Sequence, residues 1–378
     1  MSTTTALDEF AARLRAVIRA SVQPGGTGAP EAEFDRLARE LFALQFERNA
    51  AYRRFCEARG NKPETVRHWT GIPAVPAAAW KEAEMSCLPA GERGVVFHSS
   101  GTTEQRPSRH FHNSRSLALY EASLLAWFQA KVQAKNDQTP WLKPRLISLT
   151  PAAAQAPHSS LAYMFETARR ELGSPDSVFL GQIGADGAWQ VDLPAAMKAL
   201  KESVVAGLPV IVLGTAFSFV HLADGVADGG LRLMLPPGSQ AMETGGYKGR
   251  SRTLPREELH SLITQRLGIP PSHIIREYGM SELSSQAYDT PKAATTADAK
   301  AGRHFQFPPW ARMQIFSPET GSEAAEGEPG LIRIFDLANV YSTMALQTED
   351  LGTRYGDEFE LLGRATLAEP RGCSLQAA

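Results

Sequence analysis

Short apolar runs alternate with helical periods through the middle of this chain, and this alternation constrains the fold more than any other feature. The runs at 94–97, 145–149, 178–180, 208–213 and 231–235 read as strands. Helical spacing at 115–134, 159–172, 194–205 and 255–267 separates several of them. Strands interleaved with helices in this way pack as layers around a largely parallel sheet, an α/β core. Upstream, residues 6–20 and 31–60 also have helical spacing, and Phe34, Leu37, Leu41, Leu44 and Phe46 supply much of one apolar face of the second. A Pro/Ala segment at 72–79 breaks the pattern before a new helix near Trp80. After about residue 305 the texture changes to short strands at 313–316, 331–335, 343–347 and 358–362, broken by Pro, Gly and Asp, as in a small, mainly antiparallel sheet or barrel. The expected organisation is a helical region at 1–90, an α/β core at 91–304, a small β-rich subdomain at 305–364 and a tail at 365–378.

One stretch tests whether such a chain is soluble. Residues 203–223 carry no Asp, Glu, Lys or Arg and are long enough to span a bilayer. Gly207, Pro209, Gly214 and His221 interrupt them, however, and the most apolar part is confined to 208–213, so a buried strand followed by a loop and a new helix is the better reading. The charges are nearly balanced, 39 Lys+Arg against 41 Asp+Glu for a net −2, which leaves no basic footprint for nucleic acid. The first twenty residues carry Asp8 and Glu9 and no apolar segment before a cleavage site, so they do not read as a secretory signal. The 3 cysteines, Cys56, Cys87 and Cys373, are too few and too scattered for a disulfide framework or a cysteine-rich zinc site. A reducing, cytoplasmic setting is expected.

Five short segments are candidates for chemistry. Ser99, Ser100, Gly101, Thr102 and Thr103 follow a strand, and hydroxyls with backbone N–H groups around a glycine can wrap phosphate oxygens; a plain Ser/Thr/Gly turn has the same composition. Gly245 and Gly246 let backbone approach a flat ligand on which Tyr247 can stack, or form an exposed turn. In Tyr278-Gly279-Met280-Ser281-Glu282, a hydroxyl beside a carboxylate can hold a phosphate oxygen and magnesium together, or simply start a helix. The carboxylate of Asp350, within 348–352, can accept from a ribose diol or sit in a turn. Arg364 closes the last strand. Phe217 and His221 can line an acyl pocket, with a satisfied core histidine the alternative. His110 and His112 are expected on opposite faces of a strand with no third ligand recognisable nearby, which argues against a zinc site. The sequence lacks a Gly-x-Ser-x-Gly elbow, which weakens a serine-hydrolase reading.

Taken in order, these segments resemble the adenylate-forming superfamily of acyl-CoA ligases and peptide-synthetase adenylation domains over roughly residues 90–365. Within it, residues 244–249, the run around 209–219 and the ending Arg371-Gly372-Cys373 are similar to the acyl-protein synthetase branch that serves the bacterial luciferase fatty-acid reductase system. The resemblance implies the large-domain fold of these enzymes without the usual C-terminal swinging domain, since 14 residues follow Arg364 (378 − 364). It implies ATP and Mg²⁺, with Ser99 to Thr103 as a pyrophosphate loop and Gly245, Gly246 and Gly279 along the nucleotide. Tyr278 would pack by the adenine, Ser281 would touch the α-phosphate, Glu282 would ligate magnesium, Asp350 would hold the ribose and Arg364 would stand beside it. Glu104, Gln105 and Glu349 occupy positions where the superfamily has glycine.

A carboxylate is a poor electrophile, so acyl transfer first needs a better leaving group; an acyl-adenylate supplies AMP, which a thiolate can displace. The expected reaction is activation of a carboxylic acid, a fatty acid by the resemblance, followed by acylation of Cys373, which lies near Arg371 in sequence where positive charge favours thiolate. Delivery to a partner such as a reductase would follow. The alternatives are direct transfer to coenzyme A or a carrier protein, and a non-catalytic nucleotide-binding subunit of a reductase complex.

Overall fold

The computed structural model describes residues 5–23, 30–99, 106–132, 143–230, 232–245, 254–289 and 303–365. The first helix, α1 (Ala6–Ser21), starts in a capping box: the Thr5 hydroxyl accepts from the Asp8 N–H while the Asp8 carboxylate accepts from the Thr5 N–H. Its face of Leu7, Phe10, Leu14 and Ile18 is buried, as a spacing of three and four residues requires. The helical pattern expected as one segment at 31–60 is two helices, α2 (Glu31–Arg48) and α3 (Ala50–Glu57), because Asn49 leaves the helical region at φ −107° and caps the second through the Tyr52 N–H. That break has a tertiary cause. The Asn49 amide also donates to the Ser342 carbonyl at 3.4 Å and the Thr343 hydroxyl at 3.3 Å, while Gln45 donates to the Asn339 carbonyl at 2.8 Å and accepts from the Met344 N–H.

The chain then forms β1 (Val75–Pro76), the short α4 (Ala79–Glu82), and the antiparallel pair β2 (Val95–His98) and β3 (Arg109–His112). Helix α5 (Ser114–Lys131) follows, and then the alternating region: β4 (Arg145–Ser148), α6 (Ser160–Leu172), β5 (Val178–Phe179), the ribbon β6 (Gly181–Ile183) with β7 (Trp189–Val191), α7 (Leu193–Ala206), β8 (Val210–Thr215), α8 (Ala216–Asp228), β9 (Gln240–Thr244), α9 (Arg256–Leu267) and β10 (Ile274–Tyr278). Strands β5, β4, β8, β9 and β10 lie side by side in parallel. Every residue of β8 is buried, as a central parallel strand covered on both faces demands. The uncharged stretch at 203–223 is thus the end of one helix, this strand and the start of the next. Among the described residues no helix is long and apolar enough to cross a membrane.

One expected strand is misplaced. Leu233 and Leu235 are buried, but their N–H groups donate to the carbonyls of Arg266 and Leu267, the otherwise unpaired C-terminal carbonyls of α9; Leu231 lies outside the described residues. The sheet instead takes Gln240–Thr244, whose polar residues hide its strand character.

Beyond β10 the sheet turns antiparallel through β11 (Ala287–Asp289) and β12 (Phe305–Gln306), then continues through β13 (Ala311–Ser317), β14 (Ser322–Glu323), β15 (Pro329–Asp336), β16 (Ala345–Tyr355) and β17 (Glu358–Arg364). The antiparallel part is continuous with the parallel part through the hydrogen bonds of β11, β12 and β17, and β1 adds a parallel pairing on β16. His110 and His112 share one face of β3, with ring centroids 4.2 Å apart, in place of the expected opposite faces; a strand alternates with a period of two, so residues i and i+2 point the same way. Both are buried, and burial lowers the His110 pKa to about 4, so they are neutral packing residues.

Candidate active site

A cleft of about 640 Å³ opens where the parallel strands end, the position at which open α/β sheets bind ligands. Thr244 and Gly245 reach it from the end of β9; Glu277, Gly279, Met280, Ser281 and Glu282 reach it from the end of β10. His98 ends β2 and Ser99 follows it, Glu349 and Asp350 lie on β16, and Arg364 ends β17. Residues 250 positions apart therefore meet because the antiparallel strands fold back beside β10.

The β10 turn is rigidly held. The Ser281 hydroxyl donates to the His98 carbonyl at 2.9 Å, the Ser281 carbonyl meets His110 Nδ1 at 2.8 Å, and Asn339 donates to the Glu282 carbonyl at 2.7 Å. Asp336, fully buried, accepts from the N–H groups of Ser284 and Ser285 at 2.9 and 2.8 Å. The Glu282 carboxyl is itself nearly buried, and burial pushes its pKa up against the opposing effects of the Ser108 side chain, Lys81 and Arg364. On β16 the Asp350 carboxylate accepts from the Tyr278 hydroxyl at 2.9 Å and faces Arg364 at 3.9 Å, while Arg364 also approaches Glu349 at 3.7 Å. Burial raises the Asp350 pKa too, with Tyr278 and Arg364 acting the other way. Ser99 stands at the mouth of the Ser/Thr/Gly segment, its hydroxyl accepting from the Ser108 N–H at 3.0 Å.

Gly279 is required by a close approach. A Cβ there would lie 2.3 Å from Glu277 Oε1, whose carboxylate accepts from the Thr244 hydroxyl. Gly279→Ala is expected to displace Glu277 and cost on the order of 1–3 kcal/mol, the range for overpacking. Shortening the obstructing side chain in Gly279→Ala/Glu277→Ala should recover part of the loss in a double-mutant denaturation cycle; strict additivity would rule out the clash.

The expected site residues fall into three groups. Ser99, Gly245, Gly279, Ser281, Glu282, Asp350 and Arg364 all line the cleft. Tyr278 contributes its hydroxyl to Asp350, but its ring packs among Phe305, Phe307 and Phe359, at centroid distances of 6.0, 6.2 and 5.6 Å, and is not part of the lining. Phe217 and His221 pair with each other on α8, 6.0 Å apart, and are not part of the lining either; their strand-following position brings them to the α7–α8 side of the sheet. Ser100, Gly101, Thr102, Thr103, Gly246, Tyr247 and Cys373 lie outside the described residues. Sequence reasoning missed Lys81, His158, Glu277 and the apolar wall of Leu161, Met164, Ile183 and Trp189. The loop after β4 was the one available signal, since it follows a parallel strand and is punctuated by Pro151 and Pro157.

Among the described residues no group of three His, Cys, Asp or Glu side chains is arranged to hold a metal unaided. Glu282 is a buried carboxylate at the cleft, which suits a hard cation completed by phosphate oxygens and water. The remaining cysteines are packing residues: burial raises the thiols of Cys56 and Cys87 to about 12.

Comparison with known proteins agrees with this geometry. A solved structure of 2-hydroxyisobutyryl-CoA ligase, in complex with 2-HIB-AMP and CoA, superposes with a TM-score of 0.61 at 15% identity, covering 89% of this chain and 71% of that one. A postadenylation structure of the same ligase, with R3-HIB-AMP, also reaches 0.61 at 14% identity, over 89% and 69%. These establish the adenylate-forming fold. The long-chain-fatty-acid–luciferin-component ligase of Aliivibrio fischeri is 21% identical over 357 residues, 91% of this chain and 87% of its own length. Residues 34–378 match the model of a single family, and on that match the chain belongs to the LuxE acyl-protein synthetases.

Proposed function

We propose that this chain activates a long-chain fatty acid with ATP, passes the acyl group from the adenylate to the thiol of Cys373, and delivers it to a partner protein such as a reductase. The underlying class, an AMP-forming ligase that activates an acyl group, follows from the family. The observation that carries the finer reading is that one cleft is lined both by polar groups suited to a nucleotide, Asp350, Ser281 and Glu282, and by the apolar Leu161, Met164, Ile183 and Trp189. The Ser99 hydroxyl supplies a donor for a phosphate oxygen, Ser281 does so once its proton turns from the His98 carbonyl, Asp350 accepts from the ribose diol, and Arg364 offsets phosphate charge. Glu282 would hold magnesium, which supplies charge neutralisation at the phosphates. The luciferin-component relative is named for a long-chain fatty acid, and the apolar wall suits such a chain.

Fatty-acid-dependent exchange of pyrophosphate into ATP tests the activation step. It should require magnesium, and Asp350→Ala should raise the KM for ATP roughly 10- to 150-fold, the loss of hydrogen bonds to a charged acceptor worth about 1.5–3 kcal/mol. ATP binding without exchange for any acid would leave a nucleotide-binding subunit, and an unchanged KM would remove Asp350 from the ribose site.

A further inference from the structure

One imidazole in the cleft is oriented for a task that nucleotide binding does not use. His158 lies in the loop between β4 and α6, exposed and lining the cleft. Its Nδ1 is 3.1 Å from the Val96 carbonyl of β2. A carbonyl only accepts, so Nδ1 carries the proton and Nε2 is left with a free lone pair. The loop is tied to the same strand a second time, by the His98 N–H donating to the His158 carbonyl at 2.9 Å. The His98 ring then stacks on the His158 ring, centroids 4.6 Å apart and planes 24° from parallel. Backbone and ring together fix the tautomer and the orientation, which is the arrangement by which a third group holds a general base.

We propose that His158 Nε2 is the general base for the acyl-transfer step, with His98 as the positioning residue that holds its ring; this rests on the thiol-transfer reading above. The thiol proton passes to Nε2 as the sulfur electron pair attacks the acyl carbonyl carbon. The new C–S bond forms, the C–O bond to the adenylate phosphate breaks, and AMP leaves with the bonding pair. The imidazolium then returns its proton to solvent. A thiol of ordinary pKa, about 8.5, is only a few per cent ionised at neutral pH, so a lone pair that accepts its proton during attack removes a real barrier.

The surroundings disfavour the charged form of His98. Burial lowers the His98 pKa, with the His158 ring and Arg109 of β3 adding to the effect. The cleft holds Lys81 and Arg364 as cations and Glu277, Glu282, Glu349 and Asp350 as carboxyls. Three of those carboxyls, Glu277, Glu282 and Asp350, are themselves shifted toward the protonated form by burial.

The test separates the two half-reactions in the full chain. Pyrophosphate exchange reads activation, and single-turnover labelling of Cys373 by fatty acid reads transfer, so the quantity followed is the ratio of the two across pH. General-base catalysis contributes about 10²–10⁴-fold, so His158→Gln should lower the ratio at pH 7 at least a hundredfold. Its rising limb should then follow the thiol, at about 8.5, and added imidazole should restore transfer in His158→Ala. His98→Leu, which keeps apolar packing but not the ring stack, should lower the ratio without moving the limb. A ratio and pH profile in His158→Gln equal to the parent's would overturn the proposal. Absence of exchange in the parent would instead overturn the activation reading, and exchange without labelling of the parent would overturn the thiol reading on which this rests.

Discussion

Incubated with labelled long-chain fatty acid, ATP and magnesium, the parent protein is expected to acquire a covalent, hydroxylamine-labile label, and Cys373→Ser to acquire none. The expectation rests on the other two thiols as much as on the tail. The chain has 3 cysteines, and burial raises Cys56 and Cys87 to about 12. Against an ordinary thiol at about 8.5, that is roughly a three-thousandfold smaller thiolate fraction at neutral pH. Cys56 is fully buried, and the Cys87 thiol donates to the Ser342 carbonyl at 3.4 Å, so neither offers its sulfur to an adenylate. Serine at 373 supplies a hydroxyl that is a far weaker nucleophile, and any oxygen ester it formed would resist hydroxylamine under mild conditions. Labelling of the variant at the parent's level would place the acceptor elsewhere. Exchange of pyrophosphate with no label in either protein would move the acceptor off the chain, to coenzyme A or a carrier protein.

Glu277→Gln is expected to stabilise the protein above neutrality by about 3 kcal/mol and to leave it unchanged in mild acid. Glu277 is buried, and burial lifts its carboxyl from 4.5 to about 7, with the Thr244 hydroxyl opposing and the charge of Glu243 adding to the rise. A carboxyl whose folded pKa lies above its unfolded value favours the fold in its neutral form. That stability is fully present below about 4.5 and is lost as the pH rises through 7. The gap of about 2.5 units corresponds to roughly 3 kcal/mol at 1.36 kcal/mol per unit. Glutamine keeps an acceptor for Thr244 but cannot ionise, so the difference between variant and parent should be near zero at pH 4.5 and approach its full value by pH 8. Urea midpoints at the two pH values measure it directly. A difference that does not change with pH would mean that Glu277 stays ionised throughout.

The strands that were legible in the sequence are those whose burial is made by apolar side chains. Residues 145–149 and 208–213 lie within or beside β4 and β8, which are covered on both faces. Strand β9 was not legible because it buries Gln240 and Glu243, the latter neutralised by Arg276 at 3.0 Å on the neighbouring strand, a pairing invisible until the strands are adjacent. The helix break at Asn49 was hidden for the same reason, since its partners Ser342 and Thr343 lie nearly 300 residues away. Ser281, Glu282, Asp350 and Arg364, which line the cleft, were picked out in the sequence by the order of their motifs. Tyr278 was recognised as part of such a motif, but only its three phenylalanine neighbours show that the ring belongs to the core. His158 belongs to no motif: its role depends on the Val96 carbonyl and the His98 ring, and neither contact leaves a mark on local sequence.

The bonds from Gln45 and Asn49 to residues 339–344 also set a timetable for biosynthesis. Asn49 and Thr343 are separated by 294 positions, and ribosomes add about 5–20 residues per second, so roughly 15–60 s pass between the appearance of the first and of the second. During that interval the side-chain amides of Gln45 and Asn49 lack these partners, and the core that Phe34, Leu37 and Phe42 enter lacks its late members Phe335, Val340 and Met344. The same late segment supplies Asp336 and Asn339, which fix Ser284, Ser285 and the backbone of Glu282. A nascent chain therefore completes this part of its core and the turn that bears Glu282 in the same late step, because both wait for residues 336–344.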